Sequence, residues 1–286
     1  MNPMDVVFQQ WPAILAGIVG ALLPREGSTK QRAGFALLAA FTTMFVVWLW
    51  PSNGPVPAAD AASNEWPHLL NLLIGLPLVG AAAVLFIPRQ MLSMLRGFTY
   101  LVLGIGFVAS LWLLTVPMTA GWHFQYIKDW IPSLGIRYHV ALDGISLWLV
   151  LLTTFVTPIA AYASFGSIKT RIKELCFALL LLQGAMIGAF VALDMFLFYV
   201  FWELMLIPMY VMIGVWGGTN RIKAALKFFL YTMAGSLLML AAILYLAYTY
   251  GRVTGGNASF DFFELQRMQI PRHIQMWLFW GFAISF

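Results

Sequence analysis

Long apolar stretches alternate with short polar ones along this chain. Apolar runs near ~20 residues, bounded by charge, Pro or Gly, read as membrane-crossing helices. They fall at Val6–Leu23, Ala33–Trp50, Leu69–Ile87, Gly97–Val116, Ile145–Phe165, Leu175–Leu193, Met195–Trp216 and Ala224–Tyr250. A ninth run starts near Ile274 and reaches Phe286 in about 13 residues, too few to span a bilayer. The expectation is a fragment severed inside a helix, with an interfacial segment as the alternative. The leader Met-Asn-Pro-Met-Asp has no Lys or Arg and contains Asp5, so the first run is read as a retained span rather than a signal peptide.

Composition agrees with this pattern. Of the 286 residues, 62% are hydrophobic and 9% are charged, whereas soluble domains carry about 25% charge. So much apolar surface cannot be hidden inside a water-soluble fold of this size. That excludes a soluble enzyme, a disordered chain and a disulfide scaffold, and the single Cys176 cannot close an internal disulfide.

The net charge of +5 changes meaning once its positions are read. Arg25, Lys30, Arg32, Arg89, Arg96, Lys169, Arg171, Lys173, Arg221, Lys223 and Lys227 all follow odd-numbered spans, opposed there only by Glu26 and Glu174. The other loops hold most of the acids. This asymmetry predicts basic loops in the cytoplasm and an N-terminus outside. It leaves nucleic-acid binding without support.

Between the fourth and fifth runs, residues 121–142 contain FQYIKDW, IPSLG and IRYHVAL. Period-two flanks around a Pro/Gly turn predict a β-hairpin on the membrane surface, with an irregular amphipathic loop as the alternative. Asp143 reads as the cap of the following helix. Residues 52–66, rich in Pro, Ala, Ser and Asn, read as a linker. Gly184 and Gly188 form a small-xxx-small packing face. The histidines, His68, His123, His139 and His273, fall in loops or at helix starts, which argues against bound haem.

The candidate chemistry lies in DMFLFYVFWELMLIPMYVMIGVW, residues 194–216. Helical rise places Glu203 roughly 12 Å below the start of this span. A carboxylate at such depth costs about 2.5–3.5 kcal/mol to insert and is a functional candidate by default. The competing reading is a protonated glutamate that hydrogen-bonds a neighbouring helix. Pro208 removes a backbone donor five residues later. Lys227, about one turn inside the next helix, either takes in protons from the cytoplasm, pairs with an acid on a neighbouring helix, or snorkels to the interface. Asp143 and Asp194 read as boundary caps.

LDMFLFYVFWELMLIPMY, followed by RIKAALKFFLYTMAGSLLML, resembles the antiporter-like membrane subunits of proton-pumping NADH:quinone oxidoreductase (complex I), the subunit M and chain 4 group in particular. WIPSLGIRYHVALDGISLWLV is similar to the same subunits, and the likeness covers roughly residues 68–286. The resemblance implies an all-α polytopic membrane protein with two inverted five-helix repeats. Here that means about eight complete transmembrane helices, a truncated ninth and the first half of the repeat fold. Residues 1–66 would be an extra N-terminal helix pair and linker, and residues 67–286 the N-terminal part of the proton-translocating domain. In the family, the glutamate matching Glu203 pairs with a lysine on the seventh helix, which FWGFAISF would begin but not reach. Lys227 matches a family lysine at the start of the sixth helix.

The resemblance further implies a translocase subunit of a respiratory-chain NADH dehydrogenase, in a bacterial inner membrane, with this chain inactive alone. No cofactor is expected on the chain itself. NADH, FMN, iron–sulfur clusters and quinone would be used in other subunits. The expected partners are those membrane subunits, the lipid bilayer and protons. A cation/proton antiporter or membrane-bound hydrogenase subunit, or a non-transporting membrane fragment, are the alternatives.

Overall fold

The computed structural model describes residues 68–115 and 121–285. Eight α-helices and one hairpin follow in order: α1 (His68–Val84), α2 (Leu92–Leu111), β1 (His123–Ile131), β2 (Ile136–Leu142), α3 (Gly144–Ser167), α4 (Ile172–Val191), α5 (Met195–Trp216), α6 (Arg221–Thr254), α7 (Phe262–Gln266) and α8 (Arg272–Ser285). Five of them, α2 to α6, are long and apolar enough to cross a membrane. α1 is apolar but has 17 residues, and α8 has 14. The predicted runs Val6–Leu23 and Ala33–Trp50 lie outside the described residues, so eight complete spans are an expectation that the described helices bear out only in part. Helix placement otherwise follows the apolar pattern, with ends shifted by a few residues.

Burial follows the composition of each helix. α4 is the central one, with 72% of its apolar window buried, against 22–33% for the other candidate spans. Gly184 and Gly188 allow this. A methyl group at Gly184 would meet the Leu78 side chain of α1 at 2.7 Å, and one at Gly188 would meet the Phe201 ring of α5 at 2.5 Å. The two glycines therefore let different neighbours approach α4, as small residues do between membrane helices. α3 instead turns Ile145, Trp148, Leu152 and Phe155 outward, a face suited to hydrocarbon.

The connecting loops collect on two opposite sides. On the basic side, Lys173 Nζ donates to the Leu85 carbonyl, Arg89 pairs with Glu174, and Trp216 Nε1 donates to the Thr170 carbonyl. These contacts gather the α1–α2, α3–α4 and α5–α6 connections. On the other side lies the predicted hairpin, antiparallel, with irregular register near both ends of β1. Its turn is a 3-10 segment, Pro132–Leu134, closed by Gly135 at φ 71°. There a side chain would be strained, and it would also strike the Ala258 carbonyl. The hairpin is thereby seated on the segment after α6. Asp143 caps α3 as expected, accepting from the Ser146 amide at 2.7 Å.

Candidate functional site

Glu203 is on α5, two turns below its Asp194 cap. The carboxyl is only partly accessible. Its Oε1 is buried and has no hydrogen-bond partner among the described residues. One turn earlier, Tyr199 lies on the same face, because residues four apart stack along a helix. Tyr199 packs against the cluster of Met239 and Ile243 on α6, one turn from Ser236. Ser236 is fully buried and donates to the Met233 carbonyl at 2.9 Å. Around them pack Met195, Phe198, Met239 and Ile243, so the polar atoms sit in an apolar surround that magnifies electrostatic interactions. Pro208 lies within α5 and is buried. Its missing N–H leaves the carbonyl four residues back, at Leu204, without its helical donor.

Lys227 is in the second turn of α6 and exposed. Because α5 and α6 are joined by a four-residue turn, helical rise puts Glu203 level with the region near Gly235, roughly 10 Å from Lys227 along the axis. The two sequence-predicted residues are therefore on adjacent helices but at different depths. Among the described residues they form no ion pair with each other. What lies level with Glu203 instead is the buried Ser236 on α6, with Tyr199 one turn earlier on α5, and sequence reading singled out neither. The signal was available in the spacing of Tyr199 and Glu203 on one helix face.

The hairpin side carries a second buried polar cluster. His139 Nδ1 is 2.5 Å from Asp261 Oδ2, and its Nε2 is 2.8 Å from Gln125 Nε2. Asp194 is fully buried and accepts from the amides of Phe196, Leu197 and Arg137. Arg137 pairs with Glu264 at 2.8 Å. Burial pushes the Asp194 carboxyl up, against those amide bonds. For Asp261 burial works the same way, but the His139 hydrogen bond and charge outweigh it and hold the carboxyl below the usual carboxylate range. Glu264 is likewise held low by hydrogen bonds from Ser259 and Arg137, against its own burial. Burial pushes up the Tyr138 phenol, which donates to Asn71 at 3.0 Å.

This cluster ties β2 to both ends of the polar connections. The Leu193 amide bonds the His139 carbonyl, and the Phe262 amide bonds the Leu193 carbonyl. α7 was not foreseen. Its five residues are too short for apolar periodicity to reveal, though Asp261 followed by Glu264 has the spacing of a capping box, and Asp261 does accept from the Phe263 and Glu264 amides. A cavity of about 410 Å³ opens beside it, lined by Arg137, Glu264, Asp129, Tyr250 and Ser259 among others.

Comparison with known proteins places this architecture. Residues 192–286 match the family NADH:quinone oxidoreductase/Mrp antiporter, TM. The chain is 43% identical over 190 residues to NADH-ubiquinone oxidoreductase chain 4 of Marchantia polymorpha, covering 65% of this chain and 38% of that protein. It is 38% identical over 184 residues to NADH-quinone oxidoreductase subunit M of Rickettsia bellii, covering 63% of this chain and 36% of that one. The chain thus spans well under half the length of these relatives. Among solved structures, respiratory complex I from Thermus thermophilus with bound NADH contains a similar chain, with a TM-score of 0.64 at 29% identity, covering 76% of this chain and 43% of that one. The matched segment starts just before α5 and so contains Glu203, Tyr199, Lys227 and Ser236; it is residues 192–286 of this multi-pass membrane chain that are similar to the NADH:quinone oxidoreductase/Mrp antiporter transmembrane family.

Proposed function

We propose that this chain is a membrane subunit of a proton-pumping NADH:quinone oxidoreductase and contributes part of a proton path, with Glu203 as its relay group. The supporting observation is the half-buried Glu203 carboxyl inside α5, one oxygen of which has no hydrogen-bond partner among the described residues. A carboxyl kept in hydrocarbon at that cost is retained for exchange of a proton or pairing with a cation. Lys227, exposed on α6 toward the basic side, takes up protons or supplies a charge partner. The basic loops face the cytoplasm of a bacterial inner membrane, by the positive-inside rule, with the N-terminus on the opposite face. NADH, FMN, iron–sulfur and quinone chemistry belongs to other subunits, and the energy reaches Glu203 through neighbouring membrane subunits. The matched segment covers 38% of the Marchantia polymorpha relative and 36% of the Rickettsia bellii one.

The test is Glu203→Gln in the full-length subunit within the assembled complex. Proton pumping is expected to fall at least several-fold with the complex still assembled. Unchanged pumping and unchanged NADH oxidation would remove Glu203 from the path. The family description also embraces Mrp antiporters, so the second reading is a cation/proton antiporter subunit. Sodium–proton exchange without NADH oxidation in the purified complex would establish that reading.

A further inference from the structure

His139 is fully buried, and both of its ring nitrogens are engaged. Nδ1 is 2.5 Å from Asp261 Oδ2, and Nε2 is 2.8 Å from Gln125 Nε2. An amide nitrogen can only donate, so the ring Nε2 accepts there and Nδ1 carries the proton, which it donates to the Asp261 carboxylate. The ring is neutral in this arrangement, and Gln125 fixes its tautomer. We propose that His139 is a proton-binding site on the side opposite the basic loops, and that the Gln125 amide turns to accept the added proton. The site lies apart from Glu203 and is independent of that residue's role.

One proton balances the change. It adds to the Nε2 lone pair, and the ring becomes an imidazolium with two N–H donors. The Nδ1–H contact with Asp261 becomes an ion pair, and no other bond to hydrogen breaks. The new Nε2–H would face the Gln125 NH2, donor against donor, and a buried donor without an acceptor is costly. A half turn of the amide brings Oε1 to the ring and makes a charge-assisted bond. The backbone aims the residue for this. Register slips between His123 and Tyr126 of β1, and Phe124 there has φ 54°, so Gln125 sits at a bulge, where side chains are re-aimed. Gln125 is also the half-buried member of the trio, so the proton reaches the ring past its amide. The charges around the ring suit a cation. Asp261 touches it, Asp194 ahead of α5 pairs with Asp261 by a backbone bridge, and Glu264 lies on α7. Against these stand Arg137 of β2, already shared between Glu264 and Asp129, and the buried His123 of β1.

The experiment is pH-difference infrared spectroscopy of the assembled full-length complex with isotope-labelled histidine, comparing wild type, His139→Gln, Gln125→Glu and Gln125→Met. Assembly is checked by native gel. The imidazolium band that His139→Gln deletes gives the midpoint of proton uptake. In Gln125→Glu a carboxylate accepts from Nε2–H without turning, so the midpoint is expected to rise by at least about one pH unit, a tenfold gain in proton affinity. Gln125→Met offers the imidazolium no acceptor, so its midpoint is expected to fall. A residue that merely packs against the ring would not give opposite shifts. If Gln125→Glu fails to assemble, the direction in Gln125→Met decides. A midpoint unchanged in the assembled variants overturns the inference, as does a spectrum in which His139→Gln deletes no band. Pumping by Glu203→Gln is a separate readout, so opposite midpoint shifts with pumping intact in Glu203→Gln would sink the proposed function and keep the His139 site.

Discussion

His139 and Asp261, 122 residues apart in sequence, meet at 2.5 Å with both side chains almost wholly buried. This contact joins the hairpin to the segment leading into α7, and it closes the hairpin side of the bundle over the start of α5. Because neither group reaches solvent, each depends on the other. His139→Ala would leave Asp261 without its ring partner in a desolvated site, a loss of about 1–3 kcal/mol. Asp261→Asn keeps an acceptor and should cost less. Thermal denaturation of the purified complex in detergent, read at hairpin residues, ranks the two; equal stability to wild type in His139→Ala would contradict the assignment.

The acids of this cluster give opposite pH contributions. Asp261 and Glu264 lie below the usual range, so the stability they contribute is present above their unfolded pKa and is lost as pH falls through the depressed folded values. Asp194 lies above its usual range; its contribution is present below its unfolded pKa and is lost as pH rises through the raised folded value. The hairpin side should therefore loosen on acidification below about pH 4, and Asp194→Asn should make stability there less favourable relative to neutral pH. Amide hydrogen exchange of β1 and β2 across that range measures both effects.

Asp194 also caps α5 through the Phe196 and Leu197 amides while accepting from the Arg137 amide. Asp194→Ala should cost at least the roughly 0.5–2 kcal/mol of a lost cap. Asp194→Asn retains an acceptor and should recover most of it. Protease sensitivity of the α4–α5 connection distinguishes the two variants.

Small residues on α4 set the helix spacing. Gly188→Ala would drive a methyl into the Phe201 ring, and overpacking of this kind costs about 1–3 kcal/mol. Phe201 lies two residues before Glu203, so proton pumping should suffer along with stability. Gly104→Ala, whose methyl would meet nothing within 4 Å, should be neutral or slightly stabilising, since alanine favours helix over glycine. Melting temperatures of the two variants in the complex provide the comparison.

Lys227 is exposed on α6, so Lys227→Ala should change stability by no more than about 0.5 kcal/mol. If its charge serves the proton path, pumping falls in Lys227→Ala and returns in Lys227→Arg. Equal pumping in all three forms would leave it a snorkelling interfacial lysine.

Apolar run lengths, the segregation of basic residues and the Pro/Gly turn determined the helices, the grouping of loops and the hairpin, because each depends on local composition and period. Gly184 and Gly188 likewise announced close packing, and Asp143 and Asp194 their caps. Tertiary structure alone decided which neighbour each glycine admits, that His139 finds Asp261, and that Glu203 stands level with Ser236 rather than Lys227. Those relationships depend on how helices stack in depth and rotation. A hydropathy pattern says that a helix crosses the hydrocarbon, but packing against its neighbours sets what its polar groups meet there.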